Sequence, residues 1–450
     1  MSFSNKKKPI QFIKSTLKRL FPLHRSLTGN GNKETLEFIS KEIKNFKIKQ
    51  VKSNTAIYDW KVPDEWKIEE AYIKNKFNEK VIDYKKNNLH LVSYSIPFNG
   101  KLSKKELMPH LHTLKNHPKW IPYRTTYYKK TWGFCCEHSL LKSKKFKEPF
   151  EVSIKSSFKR NGKLLYGEAF KKGTTDKEII ISTYCCHPSL ANDNLSGLVL
   201  AIMLFKFIQE KKTKFSYRLS VAPETIGTLA FIKNLKNKKN IVGGTILTTV
   251  AGPEKISIKN SFDETSWINR LSKLVIEEFS NGNFINYPFS PDGSDERQFS
   301  SPGLRINTPS FHKSKYYEYK QYHTSADNLD FISASSLLES YNLYIKWFLH
   351  IENFCYPTRK NKIGEYQLGK RNLYPNIGGS INQKAANGSK YKEPSVVSEK
   401  NLDAFRWIMH LANGQNSSID ISEKSKIELS VIDDSIDILF KNKLIYKSND

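Results

Sequence analysis

One strand, turn and helix segment limits the fold of this chain more than any other feature. Residues Glu178 to Tyr184 form a short run rich in β-branched residues, which predicts a fully buried strand of a parallel sheet. Residues Asn194 to Phe207 are apolar with small residues on one side, which predicts a helix packed on that sheet. Sheets of this α/β kind place their chemistry at the carboxyl ends of the strands. The turn between the two elements is therefore the first place to look for a site.

That turn contains two residues able to bind a metal ion. His187 and Asp193 stand six positions apart, and imidazole and carboxylate groups are both zinc ligands. Each residue also has a plainer interpretation. Asp193 lies near the predicted helix start, where a carboxylate serves as an N-cap, and His187 could be a polar residue at a strand end. These two residues alone leave the choice open.

Two later segments place similar groups at the ends of predicted elements. Tyr217 to Pro223 has the composition of a second buried strand, and Glu224 follows it at once. His323 precedes a predicted helix that starts near Ser325. Because the carboxyl ends of parallel strands lie at one edge of a sheet, these groups are expected to share one site with the histidine and aspartate of the first turn.

The order of these groups resembles that of the zinc aminopeptidase superfamily with co-catalytic metals. More specifically, the chain resembles prokaryotic aminopeptidase-like domain proteins linked to polysaccharide biosynthesis, which carry a small inserted domain and a winged-helix tail. The resemblance covers nearly the whole chain and rests on these ordered segments: Arg25-Ser26-Leu27-Thr28-Gly29, Tyr58-Asp59-Trp60, Val62-Pro63 with Trp66, Pro122-Tyr123-Arg124, Tyr166-Gly167-Glu168, His187, Ala191 to Gly197, Ala222 to Gly227, Ser290 to Glu296 with Phe299, and His323-Thr324 with Asp327. It implies a zinc-aminopeptidase-like, three-layer α/β sandwich with a mixed sheet.

The resemblance also implies roles for four residues. His187, Asp193 and His323 match metal-ligand positions, and Glu224 matches the general base. Two positions depart from the superfamily's pattern. Thr225 stands where a second glutamate would bind metal, and the strand expected to supply a further aspartate, residues 244–252, contains no carboxylate. A hydroxyl is a poor ligand for a dication compared with a carboxylate, so a two-metal site is not expected.

The remaining ligands predict one zinc ion per chain. Two imidazoles and one carboxylate leave a fourth tetrahedral position open, as in catalytic zinc sites. Glu224 would then take a proton from water and pass it to the leaving amine. In another arrangement, which stays open, Glu224 binds the metal directly and the site only binds. Ser294 and Asp295 resemble the superfamily's loop beside the metals and are predicted to contact substrate or support the ligands. The alternative for them is a solvated turn built on the preceding Pro-Asp-Gly.

Composition bears on the partners and the compartment. The net charge is +29, from 73 basic and 44 acidic residues, but the lysines are spread along the chain and arginine is scarce. Because arginine is the residue expected at specific base and phosphate contacts, a nucleic-acid partner is not expected. The five cysteines include two adjacent pairs and form no disulfide framework. With no signal-type apolar core and no apolar run of about 20 residues, we expect a cytoplasmic protein without a membrane partner.

Changes of pattern along the chain predict three parts. The aminopeptidase-like α/β domain takes residues 1–54 and 123–365, a β-rich insertion takes 55–122, and a linker with a winged-helix-like domain takes 366–450. Asn401 to Leu411, Ser418 to Ser425 and Ser430 to Phe440 are predicted helices, followed by a strand-like end. Three aspartates in Ser430 to Asp437 would repel phosphate, so docking of a protein or self-association is favoured over DNA binding.

These observations lead to one functional hypothesis and one alternative. The hypothesis is a zinc-dependent aminopeptidase-like hydrolase of peptide or related amide bonds. The resemblance suggests a small peptide, aminoacyl or amino-sugar substrate in polysaccharide or surface-glycan metabolism. The alternative is a non-catalytic metal-binding or regulatory protein whose winged helix docks a partner. The missing carboxylates at and after Thr225 favour the alternative if two metals are required, and His187, Asp193, Glu224 and His323 together favour catalysis if one suffices.

Overall fold

The structure, a computed structural model, describes residues 7–374 and 397–448. The chain divides into two compact units. The first comprises Met1–Glu264 and Asn283–Tyr344, and the second comprises Thr265–Gly282 and Ile345–Asp450. Each unit has its own cluster of buried apolar side chains, so each has a hydrophobic core.

The first unit is built on a mixed five-stranded sheet. Its strands, in spatial order, are Lys47–Lys52, Lys163–Lys171, Ser216–Ala222, Glu178–Tyr184 and Ile241–Ile246. The last three are parallel to one another, and the first two join them through antiparallel pairings. The predicted strand Glu178–Tyr184 has the expected bounds and is buried along its whole length. The mixed α/β sheet expected from the sequence is therefore confirmed.

Apolar groups cover both faces of this sheet. Ile180 and Tyr184 share a buried cluster with Phe231 of a following helix, whereas Ile179 and Ile181, both 0% exposed, alternate with them along the strand. Successive strand side chains point to opposite faces, so both faces are buried. The longer helices of this unit are Lys7–Leu20, Asn30–Glu42, Gly197–Gln209 and Ile226–Asn234, and Ala334–Asn353 begins in it. Shorter helices are Lys104–Leu107 and Glu296–Phe299.

One segment has the length and composition of a membrane span. Ala191–Gln209 has a mean hydropathy of 1.3, but 89% of that window is buried inside the protein. Its first part, Ala191–Ser196, is a kinked turn in which Asp193 and Asn194 have non-helical backbone angles, so the helix predicted from Asn194 begins at Gly197. The burial identifies it as a core helix packed on the sheet.

A second small sheet leads into the loop that holds His323. Its strands, in spatial order, are Ile285–Tyr287, Ile256–Lys259 and Ser310–Lys313. The helix predicted near Ser325 is wrong, because the next helix starts at Ala334. The backbone N–H of Ser325 donates to the carbonyl of Ile121, and the carbonyl of Asp327 accepts from Ala191. Backbone groups committed to distant segments cannot form helical hydrogen bonds.

The accessory sheet lies between two strands of the main sheet in sequence. Its four antiparallel strands, in spatial order, are Lys80–Asp83, Glu65–Lys74, Phe150–Lys159 and Phe98–Leu102. Short strands at Ala56–Ile57, Trp60–Lys61, Leu111–His112 and Phe134–Cys135 accompany it. The prediction ended this β-rich insertion at residue 122, but Phe150–Lys159 pairs along most of Glu65–Lys74. The sheet therefore includes a strand from beyond that boundary. The difference arises because the two paired strands lie far apart in the sequence.

In its described part, the second unit has four helices of its own and a two-stranded sheet. The helices are Trp267–Ser280, Glu399–Leu411, Ser418–Ser425 and Leu429–Lys441, and the strands are Tyr356–Arg359 and Ile445–Ser448. The C-terminal end of Ala334–Asn353 also belongs to this unit. Three helices followed by a strand match the predicted order. Most of the predicted linker after residue 374 lies outside the described residues.

The acidic face expected on the last helix is smaller than predicted. Asp433 is 3% exposed and accepts a hydrogen bond from His350 Nδ1 at 2.7 Å. Asp437 pairs with Lys447, which leaves Asp434 as the exposed aspartate of the predicted three. Helical periodicity turns part of any such acidic run toward the core.

Candidate metal centre

Two adjacent strands bring His187 and Glu224 together. Glu178–Tyr184 and Ser216–Ala222 pair in parallel with Tyr184 opposite Ala222, so the residues that follow leave the same edge of the sheet. His187 Nε2 lies 3.9 Å from Glu224 Oε2. The sheet therefore builds the contact that strand-end placement predicted.

The turn and the long loop add Asp193 and His323 to the same place. Asp193 Oδ2 lies 3.9 Å from His187 Nε2 and 3.0 Å from His323 Nε2. The loop is fixed by a hydrogen bond from the backbone N–H of Tyr123 to the carbonyl of His323, at 2.8 Å. Tyr322 also stacks on the His323 ring, with ring centroids 3.9 Å apart. All three predicted ligands thus converge on one point.

Two atoms at this point lie close together without forming a hydrogen bond, as two ligands of one metal ion would. Asp193 Oδ2 and His323 Nε2 are buried and have no hydrogen-bond partner among the described residues, although they lie 3.0 Å apart. Tetrahedral zinc with bonds of ~2.0–2.1 Å separates its ligand atoms by about 3.3 Å. The three predicted ligand atoms all lie within 4.8 Å of one another, close to that spacing. The donor set therefore fits a zinc ion.

Two of the three candidate ligands have the protonation states that metal binding needs. Burial lowers the pKa of His187 to about 4, against the opposing effect of Asp193, so the ring is neutral at pH 7. Burial alone would raise the pKa of Asp193, but His187, His323 and Tyr184 hold it at about 2. A neutral imidazole and an ionised carboxylate are the forms that bind zinc.

Surrounding groups hold the turn that carries Asp193. Tyr184 donates a hydrogen bond from its hydroxyl to Asp193 Oδ1. The backbone N–H groups of Asn192 and Asp193 donate to the two carboxylate oxygens of Asp327, at 2.6 and 3.0 Å. Tyr319 donates to Asp327 as well, at 3.0 Å. Such outer contacts orient the groups that bind a metal directly.

A buried arginine holds the backbone beside His187. Arg25 is 1% exposed, and its Nε donates to the carbonyl of His187 at 3.0 Å. Its Nη1 donates to the carbonyl of Leu20 at 2.5 Å. The guanidinium therefore ties the first helix of the chain to the position of a predicted ligand.

Glu224 lies among other acidic groups. Burial, together with the nearby charges of Asp295 and Asp193, raises its pKa well above the usual value for glutamate. Asp295 accepts hydrogen bonds from the backbone N–H of Thr225 at 2.8 Å and from the Thr228 hydroxyl at 2.7 Å. Burial raises the pKa of Asp295 to about 6. Asp295 thus supports the turn that carries Glu224.

Ser294, the other residue predicted for this loop of the site, directly precedes Asp295 in the sequence. Its side chain is 2% exposed, and its Oγ has no hydrogen-bond partner among the described residues. Its backbone N–H donates to Glu296 Oε1 at 3.3 Å. The solvated-turn interpretation of Ser294 and Asp295 is therefore wrong, because both side chains are buried.

The two positions that depart from the superfamily's pattern hold hydrogen-bonded hydroxyls. Arg297 Nη2 lies 3.3 Å from Thr225 Oγ1 and donates to it. After strand Ile241–Ile246, the Thr248 hydroxyl pairs with that of Tyr184 at 2.7 Å. These hydroxyls leave this side of the site without the further carboxylates of the superfamily's pattern, although Cys186, His187 and Glu224 form a second group whose ligand-type atoms lie within 4.8 Å of one another.

An aromatic pocket opens onto the candidate ligands. The cavity has a volume of about 230 Å³ and is lined by His187, Glu224 and His323. Its walls include Trp60, Tyr123, Tyr127 and Tyr128. This volume is below the ~300–1,000 Å³ of drug-sized pockets, so it suits one residue-sized group.

Sequence reasoning gave no role to Tyr184, Asp327 or Arg25. In the sequence, Tyr184 is the last residue of a predicted buried strand. The available signal of a role was the hydroxyl at the strand end, which contacts Asp193. Arg25 and Asp327 both belonged to the segments that carried the resemblance, but their contacts join residues more than 130 positions apart in sequence. Pairings over such separations require the fold.

Comparison with known proteins identifies the family of each part. Residues 14–353 match the family model described as "Domain of unknown function (DUF4910)", and residues 356–447 match a winged helix-turn-helix model. A relative from Clostridium acetobutylicum is 39% identical over 96% of this chain and 95% of its own length. Its name gives it as a candidate polysaccharide biosynthesis protein with an aminopeptidase-like domain.

Solved structures show the same relationship. A candidate peptidase from Clostridium acetobutylicum superposes with a TM-score of 0.89 and 36% identity, covering 99% of this chain and 98% of its own. A zinc aminopeptidase from Bacillus subtilis has a TM-score of 0.56 and 12% identity, covering 77% of this chain and 94% of its own. A peptidase M28 precursor from Shewanella amazonensis has a TM-score of 0.53 and 14% identity, covering 77% and 96%. The last two likenesses show the fold alone. The chain therefore belongs to the DUF4910 family, as an aminopeptidase-like protein with a C-terminal winged helix-turn-helix domain.

Proposed function

We propose that this protein is a zinc-dependent hydrolase of peptide or related amide bonds. One zinc ion would be held by His187, Asp193 and His323, with Glu224 as general base. The observation that carries the proposal is the convergence of these ligand atoms, two of which are buried and unpartnered 3.0 Å apart. A zinc ion held there would supply Lewis acidity, which activates water near neutral pH and polarises a carbonyl.

The chain's own residues would perform the proton transfers. Glu224 lies at the pocket, 3.9 Å from His187, within reach of a water molecule beside the ligands. It would take a proton from the attacking water and deliver it to the leaving amine. Burial and the nearby carboxylates of Asp295 and Asp193 raise its pKa, which is the direction that makes a carboxylate a stronger proton acceptor. The aromatic walls would hold a residue-sized group against these atoms and exclude water.

The substrate and the partner are extensions of the same proposal. The pocket volume supports a small peptide, an aminoacyl conjugate or an amino-sugar amide, and the relative's name supports a role in polysaccharide metabolism. The winged-helix domain would dock a protein partner or a second copy of the chain. A cytoplasmic location is supported by Cys135, Cys136, Cys185 and Cys186, which are buried free thiols.

A non-catalytic binding protein is the second candidate. The observation that favours it is the chemistry of the second metal position, where Thr225 accepts a hydrogen bond from Arg297. If the reaction required two metals, this pocket would bind its ligand without turning it over.

Metal content and activity together test the proposal. The purified protein is loaded with zinc, and metal is measured in wild type, His187→Ala and Glu224→Gln, with the exposed Glu34→Gln as a matched control. The same samples are assayed on a panel of aminoacyl amides. We expect one zinc per chain, lost in His187→Ala, and activity lost with zinc retained in Glu224→Gln. Zinc binding without turnover in wild type would favour the binding protein, and no zinc binding would refute both.

A further inference from the structure

The thiol of Cys186 contacts both the candidate ligand His187 and the candidate base Glu224. Its sulfur lies 3.4 Å from His187 Nδ1 and accepts a hydrogen bond from the backbone N–H of Glu224 at 3.2 Å. The residue is 2% exposed, and it lines the aromatic pocket together with the two residues that it contacts. One sulfur atom therefore joins two groups that follow different strands of the main sheet.

The hydrogen bonds around the His187 ring select one tautomer. A neutral imidazole, the form that binds a metal ion, carries one N–H, either on Nδ1 or on Nε2. Nε2 lies 3.9 Å from Asp193 Oδ2 and 3.9 Å from Glu224 Oε2, which is too far for a hydrogen bond. Nδ1 has the Cys186 sulfur as a partner. The proton therefore belongs on Nδ1, which leaves the lone pair of Nε2 free for a metal ion.

This contact has the form of an outer contact to a metal ligand. A histidine that binds a metal almost always donates its other N–H to a neighbouring group, which fixes the tautomer and the orientation of the ring. For His187, the acceptor is a thiol sulfur. Arg25 binds the backbone carbonyl of the same residue and does not hold the ring. The backbone and the ring of His187 are thus held by different groups.

The same sulfur holds the turn that carries Glu224. The backbone N–H of Ile226 donates to the carbonyl of Glu224 at 2.9 Å, and Thr225 between them has φ of 63° and ψ of −83°. These values describe a γ-turn of the rare, strained kind with positive φ. Such a turn persists only when its surroundings fix it. Cys186 binds the amide before the strained residue, and Asp295 binds the amide of that residue itself.

We propose that Cys186 is a positioning residue whose sulfur sets the tautomer of His187 and holds the backbone of Glu224. It acts through these two residues and contacts neither metal nor substrate. The proposal rests on the proposed function, because it takes His187 as a ligand and Glu224 as the base. Direct binding of the metal by the thiol, for which the distances within this group also leave room, is an outcome of the test that would overturn it.

NMR of the metal-free protein tests the tautomer. Full-length, chelator-treated protein is prepared with isotope-labelled histidine, spectra report which ring nitrogen carries the proton, and His187→Gln assigns the signals. We expect the proton on Nδ1 in wild type and in Cys136→Ala, a matched control that removes another buried thiol of the same core. The form protonated on Nε2 should increase in Cys186→Ala. Cys186→Ser retains an acceptor and should restore much of the wild-type signal.

Two results of these spectra would overturn the proposal. A proton on Nε2 in wild type would show that the thiol does not accept from the ring. A proton that stays on Nδ1 in Cys186→Ala would show that another group sets the tautomer.

Hydrogen exchange tests the contact with Glu224. The backbone amide of Glu224 should exchange up to about tenfold faster in Cys186→Ala than in wild type, because it loses its acceptor. Cys136→Ala should leave this rate unchanged. An equal rate in Cys186→Ala and Cys136→Ala would show that the turn stands without the sulfur, which contradicts the role assigned to it there.

Metal binding separates a failure of this proposal from a failure of the proposed function. In competition with a chelator, Cys186→Ala should bind zinc about 10-fold more weakly than Cys136→Ala, and equal affinities would contradict the role assigned through His187. Cobalt-loaded wild type should lack a sulfur-to-metal charge-transfer band, and such a band would make Cys186 a ligand and overturn the proposal. If wild type binds no zinc, the proposed function fails, and the tautomer and the exchange rate still decide the role of Cys186.

Discussion

Replacement of Asp327 by asparagine tests the arrangement that holds Asp193. The Asp327 carboxylate accepts one backbone N–H on each oxygen, from Asn192 at 2.6 Å and from Asp193 at 3.0 Å. An asparagine of the same shape offers one oxygen and one NH₂ group. In either orientation of the amide, one of the two backbone N–H groups would face another donor.

The magnitude follows from the burial of the residue. Asp327 is 0% exposed, so no water replaces the lost acceptor. Burial raises the pKa of Asp327 to about 7, so its hydrogen bonds lie between the ~0.5–1.5 kcal/mol of a neutral pair and the ~1.5–3 kcal/mol of a charged one, and an unpaired buried donor costs about 1–3 kcal/mol. The two figures describe partly the same lost interaction, so they do not simply add. We therefore expect the free energy of unfolding to fall by about 2–4 kcal/mol. Loosening the turn should also weaken zinc binding by about 10- to 100-fold, the range for groups that orient metal ligands.

Two assays measure these effects. Urea unfolding of chelator-treated protein, followed by tryptophan fluorescence, gives the stability, and competition with a coloured chelator gives the zinc affinity. Asp330→Asn, an exposed aspartate three residues away, is the matched control. A stability within about 0.5 kcal/mol of this control, the range of ordinary surface changes, together with unchanged zinc affinity would refute the reasoning.

Two further predictions concern Arg25 and His312. Arg25→Met removes the donor to the carbonyl of His187 and should weaken zinc binding about 10-fold or more in the same competition assay, while the exposed Arg19→Met should not. Equal affinities in the two variants would show that Arg25 only fills space. His312 is 0% exposed, and burial, with Lys315 and Lys259 nearby, lowers its pKa well below the usual 6.5. The unfolded chain then binds a proton that the folded protein does not, so stability should fall as the pH drops below about 6.5, by up to ~1.4 kcal/mol per pH unit. Denaturation curves at pH 7 and 5 should show a smaller loss in His312→Gln, and an equal loss would count against this account.

Local pattern predicted the elements that carry the site, because their signals are short in range. The bounds of Glu178–Tyr184 follow from a short run rich in β-branched residues, which favours a strand buried on both faces. The placement of His187 and Glu224 follows in turn, since both leave parallel strands at one edge. The loop that follows His323 could not be predicted this way. Its backbone bonds to Ile121 and Ala191, and no local sequence signal encodes such partners.

The candidate metal ligands are easier to single out from the sequence than the groups that hold them. His187, Asp193 and His323 have side chains of ligand type, so their chemistry is visible in the sequence. Tyr184 and Asp327 act through contacts whose partners become neighbours only after folding. Tyrosine and aspartate side chains are equally common at positions where they orient no ligand. Sequence alone could therefore not single these two residues out.

The accessory sheet has a consequence for the order of folding. Lys52 pairs with Lys163 in the main sheet, so residues 53–162 form one hairpin loop of about 110 residues. Closing such a loop costs about 3 kcal/mol more chain entropy than closing one of about four residues. Glu65 pairs with Lys159 at the base of the accessory sheet, and once that pair forms only residues 53–64 and 160–162 remain to be closed. Because the Glu65–Lys159 pair itself closes about 93 residues, whichever sheet pairs first bears most of this entropy and the other then closes at little further cost, so the two sheets are expected to form cooperatively.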